Sequence, residues 1–338
     1  MLFRSGFRID VCHSIIKDAG LRDNPPATKD DHPYTQMMGL KPVYTACRPE
    51  VHDVIQRWRK LADSYDPPRV LIGETYVLDP NDFASFYGKG GDELHLAFNF
   101  MMLHADFNAP ELREVVEFAE RLIPPDAWPV WTGGNHDEHR FPSRWGDDDP
   151  RKARLAMVML MGLRGTPFVY YGDEIGMIDT EIPADRVLDP VGKFHGARFG
   201  RDPERTPMQW ANVPGAGFSE PGVEPWLPYG DFGHYNVEEQ RDHHSSMLTL
   251  TRDLIRLRER SDDLTRGTYE TVKLDNEDVW MWKRGEHTVV VCNFSDDPVT
   301  VPGVHGEIRI GTVRGRESQY LNGDLNLEPW EGVIVSAE

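Results

Sequence analysis

Five short apolar runs alternate with helix-length amphipathic segments along the first half of the chain. The runs are residues 6–11, 70–74, 94–100, 128–131 and 167–171. Between them Val51, Val54, Ile55, Trp58 and Ala62 recur at helical spacing, as do Leu112, Val115, Val116, Ala119 and Leu122. Asn108-Ala109-Pro110-Glu111 has the form of a capping box with proline in the first turn. Residues 151–163 read as a further, buried helix. Such alternation builds a parallel sheet with helices outside it and puts ligands at the carboxyl ends of the strands. A TIM-type barrel and an open doubly wound sheet both satisfy it. No glycine-rich phosphate turn follows the first run, which disfavours the dinucleotide-binding form of the open sheet.

Beyond residue 177 the pattern dissolves into a long loop reaching about residue 241, rich in proline, glycine and aromatic residues between 213 and 230. A loop of that length in a compact domain is usually functional, and a substrate rim is the natural reading. Met247, Leu250, Leu254 and Leu257 mark a last amphipathic helix. From Gly267 onward the texture becomes short alternating strands over 269–274, 279–282, 288–293 and 332–336, a small all-β module. The expected domains are therefore residues 1–263 and residues 264–338.

The chain of 338 residues carries a formal charge of −19, which argues against nucleic acid or an anionic membrane surface as a partner. The most apolar window, residues 155–163, is too short to cross a bilayer. Cys12, Cys47 and Cys292 are odd in number and widely spaced, as in a cytoplasmic protein with free thiols. No CxxC or His-rich spacing suggests zinc.

The chemistry sits at the ends of the runs. Arg8 and Asp10 alternate with Phe7, Ile9 and Val11, so both charges project from one side of the first strand. Glu74 closes the second run, and His136 and Asp137 follow the fourth. In a parallel barrel such ends converge on one mouth. Paired carboxylates facing a sugar are what glycosidic cleavage needs: one attacks the anomeric carbon and the other works as acid, then base.

GFRIDV, LIGETY, GGNHD and YYGDEIG resemble, in order and spacing, motifs of the α-amylase family, glycoside hydrolase family 13. Arg205-Thr206-Pro207-Met208-Gln209-Trp210 and Pro225-Trp226-Leu227-Pro228 resemble its α-glucosidase and oligo-1,6-glucosidase branch. The resemblance implies an α/β fold, an incomplete TIM-type (β/α)8 barrel represented by strands 4 to 8, followed by an all-β sandwich domain. It implies a retaining glycoside hydrolase acting on short α-gluco-oligosaccharides. Asp10 would be the nucleophile, Glu74 the acid/base and Asp137 the transition-state stabiliser, with Arg8, His136 and Arg201 binding and positioning. Valine after the nucleophile, Val11 here, leans toward α-1,6 links. A transglycosylase or glucoside isomerase, or a non-catalytic chain, stays open at this point.

No cofactor is implied. Many family members hold calcium through an Asp-x-x-x-Asn-His segment that is not found here, and residues 1–5 are too short to supply it. With five strands read out of the barrel's eight, two sheet edges are expected to lie open and activity to be impaired. The glycine pair Gly133-Gly134 is expected to loosen the loop before Asn135. Asp173 and Glu174 read as structural, Met157, Met159 and Met161 as core, and Tyr170-Tyr171 as packing.

Overall fold

A computed structural model describes residues 5–196 and 199–337; residues 1–4, among them most of the short N-terminal stretch considered above, lie outside the described residues. The chain groups into two compact units, Met1–His104 with Glu114–Trp131, and Ala105–Arg113 with Thr132–Glu338.

In the first unit, β1 (Gly6–Ile9), β2 (Val70–Gly73) and β3 (Leu96–Ala97) form a parallel sheet in that order. Gly6 lies opposite Val70 and Ile72 opposite Leu96. A parallel bridge from Phe98 to Val130 carries the same direction toward β4 (Val130–Thr132). Crossover α1 (Glu50–Asp63) returns the chain from β1 to β2 and buries Val51, Ile55 and Ala62. The short helix α2 (Pro80–Ser85) starts where the Asp79 carboxylate accepts the Asn81 and Asp82 amides, with proline in the first turn. Two glycines allow close approach. A Cβ on Gly6 would sit 2.0 Å from the Val70 carbonyl oxygen, and one on Gly73 would sit 2.3 Å from Leu94. Among the described residues β1 pairs with β2 alone, and Phe7 on it is 65% exposed. It is an open edge.

Helix α3 (Ala109–Leu122) opens with half of the expected box: the Glu111 amide donates to Asn108 Oδ1 at 2.9 Å, but Glu111 Oε2 reaches past Asn108 to accept the Asp106 amide at 2.9 Å.

In the second unit, α4 (Pro150–Gly162) is buried on nearly every side, Met157, Met159 and Met161 included. The strand β5 (Thr166–Phe168) follows it. A helix end leaves carbonyls without intrahelical partners. Here side chains supply them. Arg258, on α5 (Met247–Arg260), donates to the Met161, Leu163 and Gly165 carbonyls. Trp282 and Arg284 both donate to the Gly162 carbonyl, at 3.1 and 3.0 Å.

Those last two residues lie on a six-stranded antiparallel sheet. Its strands are β6 (Tyr269–Val272), β7 (Val279–Arg284), β8 (Thr288–Asn293), β9 (Val299–Gly311), β10 (Tyr320–Leu327) and β11 (Gly332–Ser336), in spatial order β10-β9-β11-β8-β7-β6. Val279, Val291, Ile308, Leu325 and Val333 form part of its core. The sequence pattern passes over β9 and β10. Gly303 and Gly306 interrupt the first, and Asn322-Gly323-Asp324 sits inside the second, where the register shifts between Gly323 and Leu325. These residues read as turns, yet the strands pair through them across a bulge.

The long loop is irregular, with single helical turns at Ala184–Arg186, Pro190–His195, Pro203–Arg205 and Val237–Arg241. No described helix is long and apolar enough to cross a membrane.

Candidate active site

At the carboxyl ends of β1 and β2 one guanidinium spans two carboxylates. Arg8 Nη1 donates to Asp10 Oδ1 at 2.6 Å, and Nη2 to Glu74 Oε2 at 2.7 Å. Asp10 stands one residue past the strand with its side chain 72% exposed, whereas that of Glu74 is 11% exposed. Parallel pairing brings them together: the Glu74 amide donates to the Ile9 carbonyl, so the two strand ends advance in step. The Val11 amide adds a bond to Glu74 Oε2 at 3.2 Å. Val11 sits at φ 45° and ψ 39°, the left-handed region that a β-branched residue rarely visits. Backbone strain of about 1–3 kcal/mol at such a position is a common mark of a functional site. Nothing in the residue order announces it.

Burial pushes the Glu74 carboxyl above its usual range, and a hydrogen bond with Asp10 adds to the rise; the Val11 amide and Arg8 oppose it. A raised carboxyl keeps its proton to higher pH, as a general acid must. Beneath it, the Cys12 thiol donates to the Glu74 carbonyl at 3.2 Å, and burial pushes that thiol up to about 12. All three cysteines are free, and none is held as thiolate by a neighbour.

After β4, in the second unit, the arrangement is inverted. Asp137 Oδ1 accepts from Arg201 Nη1 at 2.8 Å and from Arg205 Nη2 at 2.7 Å, and Oδ2 lies 3.1 Å from His136 Nε2. Asn135 turns the loop by accepting the Asp137 amide at 2.7 Å. Gly133 is no hinge: a Cβ there would meet Phe141 at 2.9 Å and Leu160 at 3.3 Å, so it is a close-packing position. Arg201 is aimed by Asp189, whose carboxylate takes Nη2 at 2.9 Å and Nε at 3.2 Å. Asp189 is buried, and its bond to Arg201 holds its carboxyl down at about 2. Arg205 also donates Nε to the His136 carbonyl at 2.6 Å, while Trp226 Nε1 donates to the Arg205 carbonyl at 3.1 Å.

The sequence reading named Arg201 and missed Arg205 and Asp189. The available signal was the pair of arginines four residues apart in Arg201-Asp202-Pro203-Glu204-Arg205. Asp173 and Glu174 bond loop backbone, accepting the Tyr170 and Gly172 amides at 2.9 and 2.7 Å. One further cluster is compatible with a metal ion: His139, Asp179 and Glu204 offer donor atoms within 4.8 Å of one another.

Two strand-end carboxylates on one arginine, and a His-Asp loop closed by two more, agree with a sequence match that decides the family. The family model for the α-amylase catalytic domain matches residues 4–267. The chain belongs to the α-amylase family. A probable alpha-glucosidase of Rhizobium meliloti (strain 1021) is 29% identical over 341 residues, covering 96% of this chain and 61% of that protein. The oligo-1,6-glucosidase of Parageobacillus thermoglucosidasius is 26% identical over 373 residues, covering 97% of this chain and 64% of that one. The solved α-glucosyl transfer enzyme XgtA superposes with a TM-score of 0.86 at 29% identity, over 99% of this chain and 64% of that chain. The α-amylase-family chain thus spans about six-tenths of the length of the relatives it matches. Its parallel strands with intervening helices, followed by an antiparallel sheet, are the TIM-type barrel fold in part, with an all-β C-terminal domain.

Proposed function

We propose that this protein is a retaining α-glucosidase-type glycoside hydrolase of short α-glucosides, with Asp10 as nucleophile and Glu74 as acid/base. The observation that carries the reading is the Arg8 fork, 2.6 Å from Asp10 and 2.7 Å from Glu74. It orients one carboxylate beside another that burial favours in its protonated form.

The chemistry runs as a double displacement. Glu74 gives its proton to the glycosidic oxygen as that C–O bond breaks, and a carboxylate oxygen of Asp10 bonds to the anomeric carbon with inversion. Water then attacks the same carbon, losing a proton to the Glu74 carboxylate, while the ester bond to Asp10 breaks with a second inversion. The sugar leaves with its original configuration. Asp137 supports the positive charge that develops on the ring, and His136 and Arg201 hold ring hydroxyls. The reaction needs no cofactor. All these groups lie in residues 1–263, and residues 264–338 complete the fold.

Val11 beside the nucleophile supports α-1,6 links, in line with the oligo-1,6-glucosidase relative. A second reading, transfer of the glucosyl group to a sugar acceptor, is supported by the likeness to the α-glucosyl transfer enzyme. Product analysis on isomaltose, maltose and sucrose separates the two. The open β1 edge, with Phe7 65% exposed, leads us to expect turnover below that of the longer relatives.

The test must therefore not depend on fast turnover. A fluorinated α-glucosyl fluoride, which reacts slowly at the first step and more slowly at the second, is expected to add one glycosyl unit to Asp10 by intact-mass and peptide analysis. Asp10→Asn should abolish the adduct. No adduct on the wild-type chain, or an adduct elsewhere that survives Asp10→Asn, overturns the assignment.

A further inference from the structure

His139, Asp179 and Glu204 come from three separate loop segments of the second unit and converge. His139 Nδ1 lies 2.7 Å from Asp179 Oδ2 and 3.8 Å from Glu204 Oε2. The backbone around them is tied down. The Arg140 amide donates to Asp179 Oδ1 at 2.9 Å, the Asp179 amide to Ser143 Oγ at 2.9 Å, and Arg140 Nη2 to the Glu204 carbonyl at 2.9 Å.

The Glu204 side chain is only 1% exposed, and its Oε2 has no hydrogen-bond partner within the described residues. A buried carboxylate oxygen that faces a histidine at 3.8 Å without a hydrogen bond carries a desolvation cost that the neighbouring His139 and Arg205 offset only in part. Arg140, next to His139 in the chain, turns its two terminal nitrogens to the backbone carbonyls of Tyr171 and Glu204 rather than to this carboxylate.

We propose that His139, Asp179 and Glu204 bind one divalent transition-metal ion of the zinc class. Zinc sits about 2.0–2.2 Å from imidazole nitrogen and carboxylate oxygen, which sets tetrahedral donors roughly 3.3–3.6 Å apart. The observed 2.7 and 3.8 Å bracket that spacing, so donor shifts under about 1 Å complete it. One nitrogen with two carboxylates suits zinc; calcium and magnesium favour all-oxygen sites. The two carboxylates neutralise the ion. His139 is 41% exposed on its side chain, leaving one face for water as the fourth ligand. The ion would tie a residue two positions after Asp137 to the residue just before Arg205, and so stiffen the pair that meets at 2.7 Å. Its role is structural support of that contact.

The experiment uses the full chain, stripped by dialysis against a chelator and titrated with zinc in competition with a chromophoric chelator. One equivalent is expected, with a Kd of about 1 μM or tighter, together with a higher thermal midpoint. His139→Ala and Glu204→Gln should each weaken binding at least about tenfold. Circular dichroism reports folding of both. Should the buried Glu204→Gln variant misfold, His139→Ala decides, because its side chain is partly exposed. No uptake by the wild-type chain, as for an imidazolium held between two carboxylates, overturns the proposal. So does uptake that neither substitution weakens, which marks adventitious binding at other histidines.

Discussion

One guanidinium over two carboxylates, and two guanidiniums over one, are opposite solutions to placing negative charge. At Arg8 the cation is divided between Asp10 and Glu74, and burial leaves Glu74 with a raised carboxyl. At Asp137 two cations converge on a single oxygen, and the supporting Asp189 is held down at about 2 by its bond to Arg201. The first arrangement is suited to moving a proton, the second to presenting a fixed charge. The two clusters use the same residue types and differ in the ratio of cations to carboxylates.

The largest effect should come from the first cluster. Asp10→Asn is expected to lower kcat on a chromogenic α-glucoside by at least about 10³-fold. Glu74→Gln should cost about 10²–10⁴-fold on a substrate with a poor leaving group, and less on a nitrophenyl glucoside, where protonation matters little. Equal losses for Glu74→Gln on both substrates would remove it from the acid role.

The second cluster should be less sensitive. Arg205→Ala and Arg201→Ala each leave Asp137 one guanidinium, and each is expected to lower kcat/KM by about 10–100-fold. Because both bind the same oxygen, the double variant should fall short of the product of the two. Strict additivity would show that they act separately.

A pH profile sharpens the contrast further. As the proposed acid, Glu74 must be protonated to donate, so its carboxyl is expected to set the alkaline limb of kcat/KM. Arg8 lowers that carboxyl, and Arg8→Met should therefore raise it and move the alkaline limb to higher pH, alongside a reduced maximum. A limb that moves to lower pH contradicts the assignment.

The smallest effect concerns stability. Asp189 has a folded-state carboxyl at about 2, below its unfolded value near 3.8, so its contribution is present above that unfolded value and lost as pH falls through about 2. Asp189→Asn should lower Tm by several degrees at pH 6, with the gap to wild type closing between about pH 4 and pH 2. A gap that does not change with pH would mean that the substitution acts through packing alone.

Part of the fold is legible because β1 and β2 are short apolar runs that close at a glycine or a charged residue. Residues 70–74 announce β2 in this way, and 6–11 announce β1. Strands β9 and β10 are not legible, since Gly306 and Gly323 adopt φ of +125° and +126° within pairing strands. Local turn chemistry there is overridden by the sheet core formed by Ile308, Leu321 and Leu325. The grouping of the antiparallel sheet with α4 and α5 is equally hidden. It depends on Arg258, Trp282 and Arg284 reaching helix-end carbonyls as far as 122 residues away along the chain.

Residue order by itself determined that Asp10, Glu74 and Asp137 stand at strand ends or just beyond, because period-two alternation and the terminal turn are local properties of the chain. Only the tertiary structure decided how their charge is used. Arg205 reaches Asp137 across 68 residues, Arg8 reaches Glu74 across 66, and Glu204 enters the cluster of His139 and Asp179. Burial and cation number depend on which distant segments pack together, and no window of sequence contains both partners.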